Sequence, residues 1–386
     1  MLLPDYQGGS IVNLIASIEA GMGNEAPLYA PLRQLEPARL RNARNVVLLV
    51  IDGLGHDYLT GPGAGSTLHQ YLKGRITSVC PPTTASAITT MLTAMAPQQH
   101  AITGWFTYFK ELGSVITVLP FRPRHGGPPL SESGIEAGAL LQPSPLFDRL
   151  VTRSYVVSPE RIADSDFNRV HAGAAEVRAY GSLKEMFTTV KAILRENDAR
   201  KYVYSYWPAL DGLAHEHGIG SVQVRDHFAE LDAAFHRFVS TIRGSETLIV
   251  VTADHGIIDT APERAIHLDQ HPVLAGTLRL PLCGERRFAY CYIDPAKRQQ
   301  FERYVEEALA GCATLFRSEQ LLEKGCFGLG APHPRLLERI GDYTLVMREN
   351  YTIKDQVLGE RPYVHIGVHG GQSEQELYVP LIIVEA

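Results

Sequence analysis

Three short runs rich in β-branched and large apolar residues constrain this chain most: residues 46–51, Lys201–Trp207 and Thr247–Thr252. A strand covered on both faces reads as a continuous apolar run, whereas a strand with one solvated face alternates. Patterned helical stretches separate the runs. Residues 183–197 carry apolar side chains at helical spacing, and 222–242 do so with Val224, Phe228, Leu231, Phe235 and Phe238. Strand and helix in alternation predict an α/β fold with a mostly parallel central sheet flanked by helices.

Each run ends where ligand-type residues begin. Asp52 follows the first, Asp211 and His215 the second, and Asp254-His255 the third; His369-Gly370-Gly371 stands near the end of the chain. Open α/β sheets hold their active sites beyond the carboxyl ends of the strands, so position and residue chemistry agree independently. Three carboxylates and three imidazoles are enough ligands for two metal ions.

Each cluster alone has a plain structural reading. Asp211 and His215, at i and i+4, share one side of a helix and can grip an ion, but a capping Asp with a surface His fits the same residues. Asp52-Gly53 and Asp254-His255-Gly256 also read as polar turns after strands. A lone His369 is more often structural. Their conjunction at three strand ends and one return segment is what points to metal.

The segment Cys80-Pro81-Pro82-Thr83-Thr84 offers a hydroxyl. The prolines introduce a helix with Thr84 in its first turn, where free backbone N–H groups attract an anion. Contact with a metal would make that hydroxyl a usable nucleophile. Taken locally, an N-cap is the simpler reading.

The order of these motifs resembles the alkaline phosphatase superfamily and, within it, the type I phosphodiesterase/nucleotide pyrophosphatase group. Strand-Asp-Gly, a proline-led Thr helix, Asp-x-x-x-His, Asp-His-Gly and a late His-Gly-Gly run from Asp52 to His369. The resemblance implies that Asp211, His215 and His369 hold one divalent ion. Asp52, Asp254 and His255 hold the other, with Thr84 touching it as nucleophile. Counting back from Thr93-Ala94 selects Thr84, with Thr83 as the alternative. It further implies an alkaline-phosphatase-like fold and hydrolysis of phosphodiester or nucleotide pyrophosphate bonds through a phosphothreonine. Zinc suits the mixed His/Asp ligands, with manganese as the alternative.

Two positions depart from the family pattern. Ala87 replaces an Asn expected three residues after the nucleophile, and Ala94 replaces a Gly. A sulfatase is excluded because Thr84 stands where its motif needs Arg. No Arg follows the nucleophile at 85–87, which favours diesters unless Arg122, Arg124 or another Arg reaches the site. The rival readings are a phosphomonoesterase or phosphonate hydrolase on the same site and, from another class, a non-catalytic sensor of metal and phosphate ligands.

The net charge of −6 provides no basic field for nucleic acid, so a small phosphorylated substrate is the expected partner. No run approaches a membrane span, and the N-terminus lacks the basic and apolar regions of a signal peptide. Five cysteines at irregular spacing suggest reduced thiols and a cytoplasmic protein. Oligomeric state leaves no mark in the sequence.

The texture changes between 276 and 355. There 287–293 and 343–348 read as strands and 295–309 as a helix, without further acid–histidine pairs. The expected division is a core of 1–275 and 356–386 with a smaller inserted α+β subdomain at 276–355. Residues 106–143, rich in Pro and Gly, read as a long loop or lid.

Overall fold

The computed structural model describes residues 1–24, 26–142, 144–197, 199–360 and 364–386. The central sheet has seven strands: β1 (Asn45–Ile51), β2 (Leu72–Thr77), β3 (Arg153–Pro159), β4 (Glu176–Tyr180), β5 (Lys201–Trp207), β6 (Thr247–Thr252) and β7 (Tyr378–Glu385). Their spatial order is β2-β7-β6-β1-β5-β3-β4. The run β6-β1-β5-β3-β4 is parallel, and β7 is antiparallel to both its neighbours.

The three apolar runs of the sequence are the middle of this sheet, and every residue of β1, β5 and β6 is buried. Helices cover the sheet for the reason their spacing implies. Leu183–Arg195 buries Leu183, Met186, Phe187, Val190, Ile193 and Leu194, all on one stripe, and Ser182 caps its start by accepting from the Glu185 amide. No helix among the described residues is long and apolar enough to cross a membrane.

A second, antiparallel sheet runs Ala313–Arg317, Tyr343–Met347, Phe288–Cys291, Cys283–Glu285, Phe106–Phe109, Ser114–Thr117, Arg122–Pro123. Its first four strands come from the stretch expected to be inserted. Its last three come from the stretch expected to be a loop or lid, and that expectation is corrected here. The strands at 106–123 are two to four residues long, so they give no sustained apolar run, and the Pro and Gly residues between and after them mask them. Pro143, which closes the same stretch, lies outside the described residues, as do 361–363 in the expected core return.

The expectation of five reduced cysteines is also corrected. Cys80 and Cys326 form a disulfide with Cα atoms 5.8 Å apart, while Cys283, Cys291 and Cys312 are free. The bond spans 246 residues, a pairing that linear spacing does not reveal.

Candidate metal centre

Register brings the first ligands together. Ile51 of β1 pairs with Trp207 of β5, and Val50 pairs with Thr252 of β6, so the three strands end level. Asp52, the helix after Trp207 and Asp254 therefore leave the sheet along one edge. That helix, α2 (Ala209–His217), follows β5 directly and carries Asp211 and His215. His369 arrives from far along the chain because Gly367–Val368 pairs with Ile258–Asp259, just beyond Asp254-His255. The nucleophile candidate opens α1 (Thr84–Thr93), with Thr83 at its N-cap.

All seven residues expected at the site meet here. Ligand atoms of Asp52, Asp254 and His255 lie within 4.8 Å of one another, as do those of Asp211, His255 and His369. His255 is thus the junction of the two groups. Its ring stacks on His369 with centroids 3.7 Å apart. His215 stands beside them, with Nε2 3.3 Å from Asp211 Oδ2 and its ring 5.1 Å from that of His369.

Neighbouring groups orient these side chains. His215 Nδ1 bonds to the Gly367 carbonyl at 2.7 Å, which leaves Nε2 facing the cluster. His255 Nδ1 bonds to the Gly256 carbonyl at 3.2 Å in the same way. Tyr206 donates to Asp52 Oδ2, and Asp254 Oδ1 accepts from the amides of Gly53 and His255 at 3.1 and 3.0 Å.

The remaining atoms test whether metal fits. Asp52 Oδ1, Asp211 Oδ1, Asp254 Oδ2 and His369 Nδ1 are buried and have no hydrogen-bond partner among the described residues. Buried polar atoms left unpaired are costly, and four converging on one cleft are what a cation would satisfy. Burial, then the charges of Asp254 and Asp211, hold Asp52 well above the ordinary carboxylate range. Burial opposes ionisation of Asp211, yet His215 takes its carboxyl below the usual value. Burial and the neighbouring His255 hold His369 well below the ordinary imidazole value, so it is neutral and able to ligate. The donor set fits two divalent ions.

The two threonines face different partners. Thr84 Oγ1 is 3.1 Å from His255 Nε2, whereas Thr83 donates to Glu285 Oε1 at 2.6 Å. Neither acts as a side-chain cap for α1. A cavity of about 340 Å³ opens over the cluster, lined by both threonines, Trp105, Glu285, Arg286 and His365 among others.

Sequence reasoning missed those last four residues, and also Tyr206. His365 stacks on His215 at 4.1 Å, and burial followed by His215 brings it down to about 3. Glu285 also accepts from the Trp105 amide at 2.7 Å; burial raises its carboxyl above the usual range, against those hydrogen bonds. Tyr206 had a faint signal, as a polar tip inside a buried run. Arg124 does not line this cavity: its guanidinium bonds Asp355 at 2.6 Å and Glu360 at 2.9 Å. The arginine sharing the cavity with Thr84 is Arg286.

A parallel sheet with acid–histidine groups beyond its carboxyl edge and a hydroxyl at a helix N-terminus is the architecture of the alkaline phosphatase superfamily. The chain belongs to the Type I phosphodiesterase / nucleotide pyrophosphatase family, whose sequence profile matches residues 46–372, and it is a hydrolytic enzyme. No curated protein matches it.

Solved structures share the fold at low identity. Murine ectonucleotide pyrophosphatase / phosphodiesterase 5, in an inactive form complexed with AMP, aligns over 87% of each chain with 17% identity and a TM-score of 0.65. The human counterpart aligns over 88% of this chain and 87% of its own, with 15% identity and a TM-score of 0.65. Phosphonoacetate hydrolase from Sinorhizobium meliloti 1021, complexed with phosphonoacetate, aligns over 89% and 90% with 17% identity and a TM-score of 0.64.

Proposed function

We propose that this protein is a two-metal hydrolase of phosphodiester or nucleotide pyrophosphate bonds, with Thr84 as nucleophile. The observation that carries this reading is the position of Thr84 Oγ1, 3.1 Å from the ring nitrogen of the histidine common to both ligand groups. Asp52, Asp254 and His255 would hold one ion, and Asp211, His215 and His369 the other. Zinc suits these donors, with manganese as the alternative. When bound, the ions would neutralise phosphoryl charge and lower the pKa of the attacking hydroxyl and water.

Thr84 Oγ attacks phosphorus in line, and an O–P bond forms as the bond to the leaving oxygen breaks. The hydroxyl proton is lost and the leaving oxygen gains one. Water then cleaves the threonyl ester, restoring the hydroxyl and freeing the phosphorylated product. Amides at the start of α1 would support the phosphoryl oxygens where the Ala87 methyl offers no hydrogen bond.

Arg286 in the cavity favours a second reading, a phosphomonoesterase or phosphonate hydrolase, because a guanidinium suits a dianionic phosphoryl group. Metal-reconstituted protein assayed on bis-(p-nitrophenyl) phosphate and p-nitrophenyl phosphate separates the two by the preferred substrate. Thr84→Ala is expected to lose at least about a thousandfold in turnover while keeping the metal content measured by atomic absorption. Full turnover in that variant would sink the assignment.

A further inference from the structure

The helix that carries Thr84 has a threonine at its N-cap that does not cap it. Thr83 holds the extended backbone of an N-cap residue, φ −145° and ψ 151°, yet its hydroxyl bonds none of the first amides of α1. It donates instead to Glu285 Oε1, 2.6 Å away. Among the described residues the amides of Thr84, Ala85 and Ser86 have no acceptor, whereas the Ala87 amide bonds the Thr83 carbonyl at 2.9 Å. Thr83, Thr84 and Glu285 all line the cavity over the metal centre.

Glu285 is itself fixed from several sides. The oxygen that takes the Thr83 hydroxyl also accepts from the Trp105 amide at 2.7 Å. Glu285 closes the strand Cys283–Glu285 and pairs with Phe288 across the turn Arg286-Arg287. A Cβ on Gly370, next to His369, would lie 2.8 Å from the Glu285 Cβ, so the loop that carries a metal ligand packs on this side chain. The carboxyl group is therefore a rigid acceptor, and the threonine hydroxyl is the mobile partner of the pair.

We propose that Glu285 is a positioning residue that holds the Thr83 hydroxyl off the start of α1 and so keeps those amides free for the phosphoryl oxygens of the substrate. The inference rests on the hydrolase reading, which puts phosphorus at Thr84. Because the Thr83 backbone already has the capping conformation, rotation about its Cα–Cβ bond is all that a cap requires. Without Glu285 the hydroxyl bonds the Ala85 or Ser86 amide and competes for it with the transition state. Ala87 offers no side-chain donor in their place.

The test joins kinetics of the metal-reconstituted protein, on whichever p-nitrophenyl substrate it prefers, with crystal structures of the variants. Glu285→Ala is expected to lose about tenfold in kcat/KM, the factor to which a threonine cap corresponds. Its structure is expected to show the Thr83 hydroxyl on the Ala85 or Ser86 amide. Glu285→Gln keeps an oxygen for Thr83 and Trp105 and is expected to restore most of that activity. Adding Thr83→Val to Glu285→Ala removes the competing hydroxyl and is expected to recover most of the loss. The Trp105 amide is as unpaired in that double variant as in Glu285→Ala, so a role confined to folding predicts no recovery. A double variant no better than Glu285→Ala, a Glu285→Gln equally impaired, or a Thr83 hydroxyl still off the amides in Glu285→Ala overturns the proposal. Failure of the hydrolase reading shows separately, as absence of chelator-sensitive turnover in the parent protein, wherever the Thr83 hydroxyl points in the variant.

Discussion

Behind α1, two buried histidines are held neutral. His171 Nδ1 bonds to the Phe167 carbonyl at 2.7 Å, and His100 Nε2 lies 3.2 Å from Thr90 Oγ1 on α1 itself. Burial brings His171 down to about 4; burial, then His171 and Arg339, hold His100 well below the ordinary imidazole value. Both groups bind a proton more readily in the unfolded chain, where an imidazole titrates near ~6.5. Their contribution to stability is therefore complete above that value and is lost as pH falls from about 6.5 towards about 4. Each should cost about 1.4 kcal/mol per pH unit within the window. Thermal unfolding of metal-free protein across this range, which removes proton-linked metal loss, should show the decline, and His171→Gln should make it shallower. An unchanged slope would mean that His171 does not titrate with unfolding.

Glu285 reaches the cleft because two backbones touch. A Cβ on Gly104 would sit 2.6 Å from the Gly284 Cα, and Gly284 adopts φ +78, open chiefly to glycine. Gly104→Ala is therefore expected to destabilise by about 1–3 kcal/mol, as overpacking does. Urea unfolding measures this, and a loss of turnover larger than the loss of folded protein would show that the hairpin also positions Glu285. None of this was legible in the sequence. Glu285 has no histidine near it in sequence, and its partner Thr83 is 202 residues away. The central strands were legible because burial on both faces writes a continuous apolar run, and the ligands were legible because each follows such a run. The strands at 106–123 lack that signature, since their partners at 283–285 are fixed only by the folded second sheet.

One buried ion pair joins the second sheet to the metal edge of the first. Arg287, beside the strand Phe288–Cys291, donates to Glu376 Oε1 at 2.7 Å, with the side chains 1% and 0% exposed. Arg287 also donates to the carbonyls of Tyr351 and Glu349, both at 2.6 Å. Glu376 accepts from the Gly371 amide at 2.7 Å, and its carbonyl accepts from the Gly256 amide at 2.9 Å. The loops carrying His369 and His255 are thus referenced to the same residue. Removing one partner leaves the other charge buried and unpaired, a cost of about 3–5 kcal/mol, whereas replacing both with apolar residues costs much less. Glu376→Gln is expected to lower the urea midpoint and weaken metal binding, because Arg287 and the loop carrying His369 lose their carboxylate partner while the backbone bond to Gly256 stays. The double variant Arg287→Met with Glu376→Leu should recover much of the midpoint but not the metal affinity, since leucine leaves the Gly371 amide without its side-chain acceptor. If metal affinity returned together with stability, the pair would act on folding alone and the loops would be placed by the sheet register.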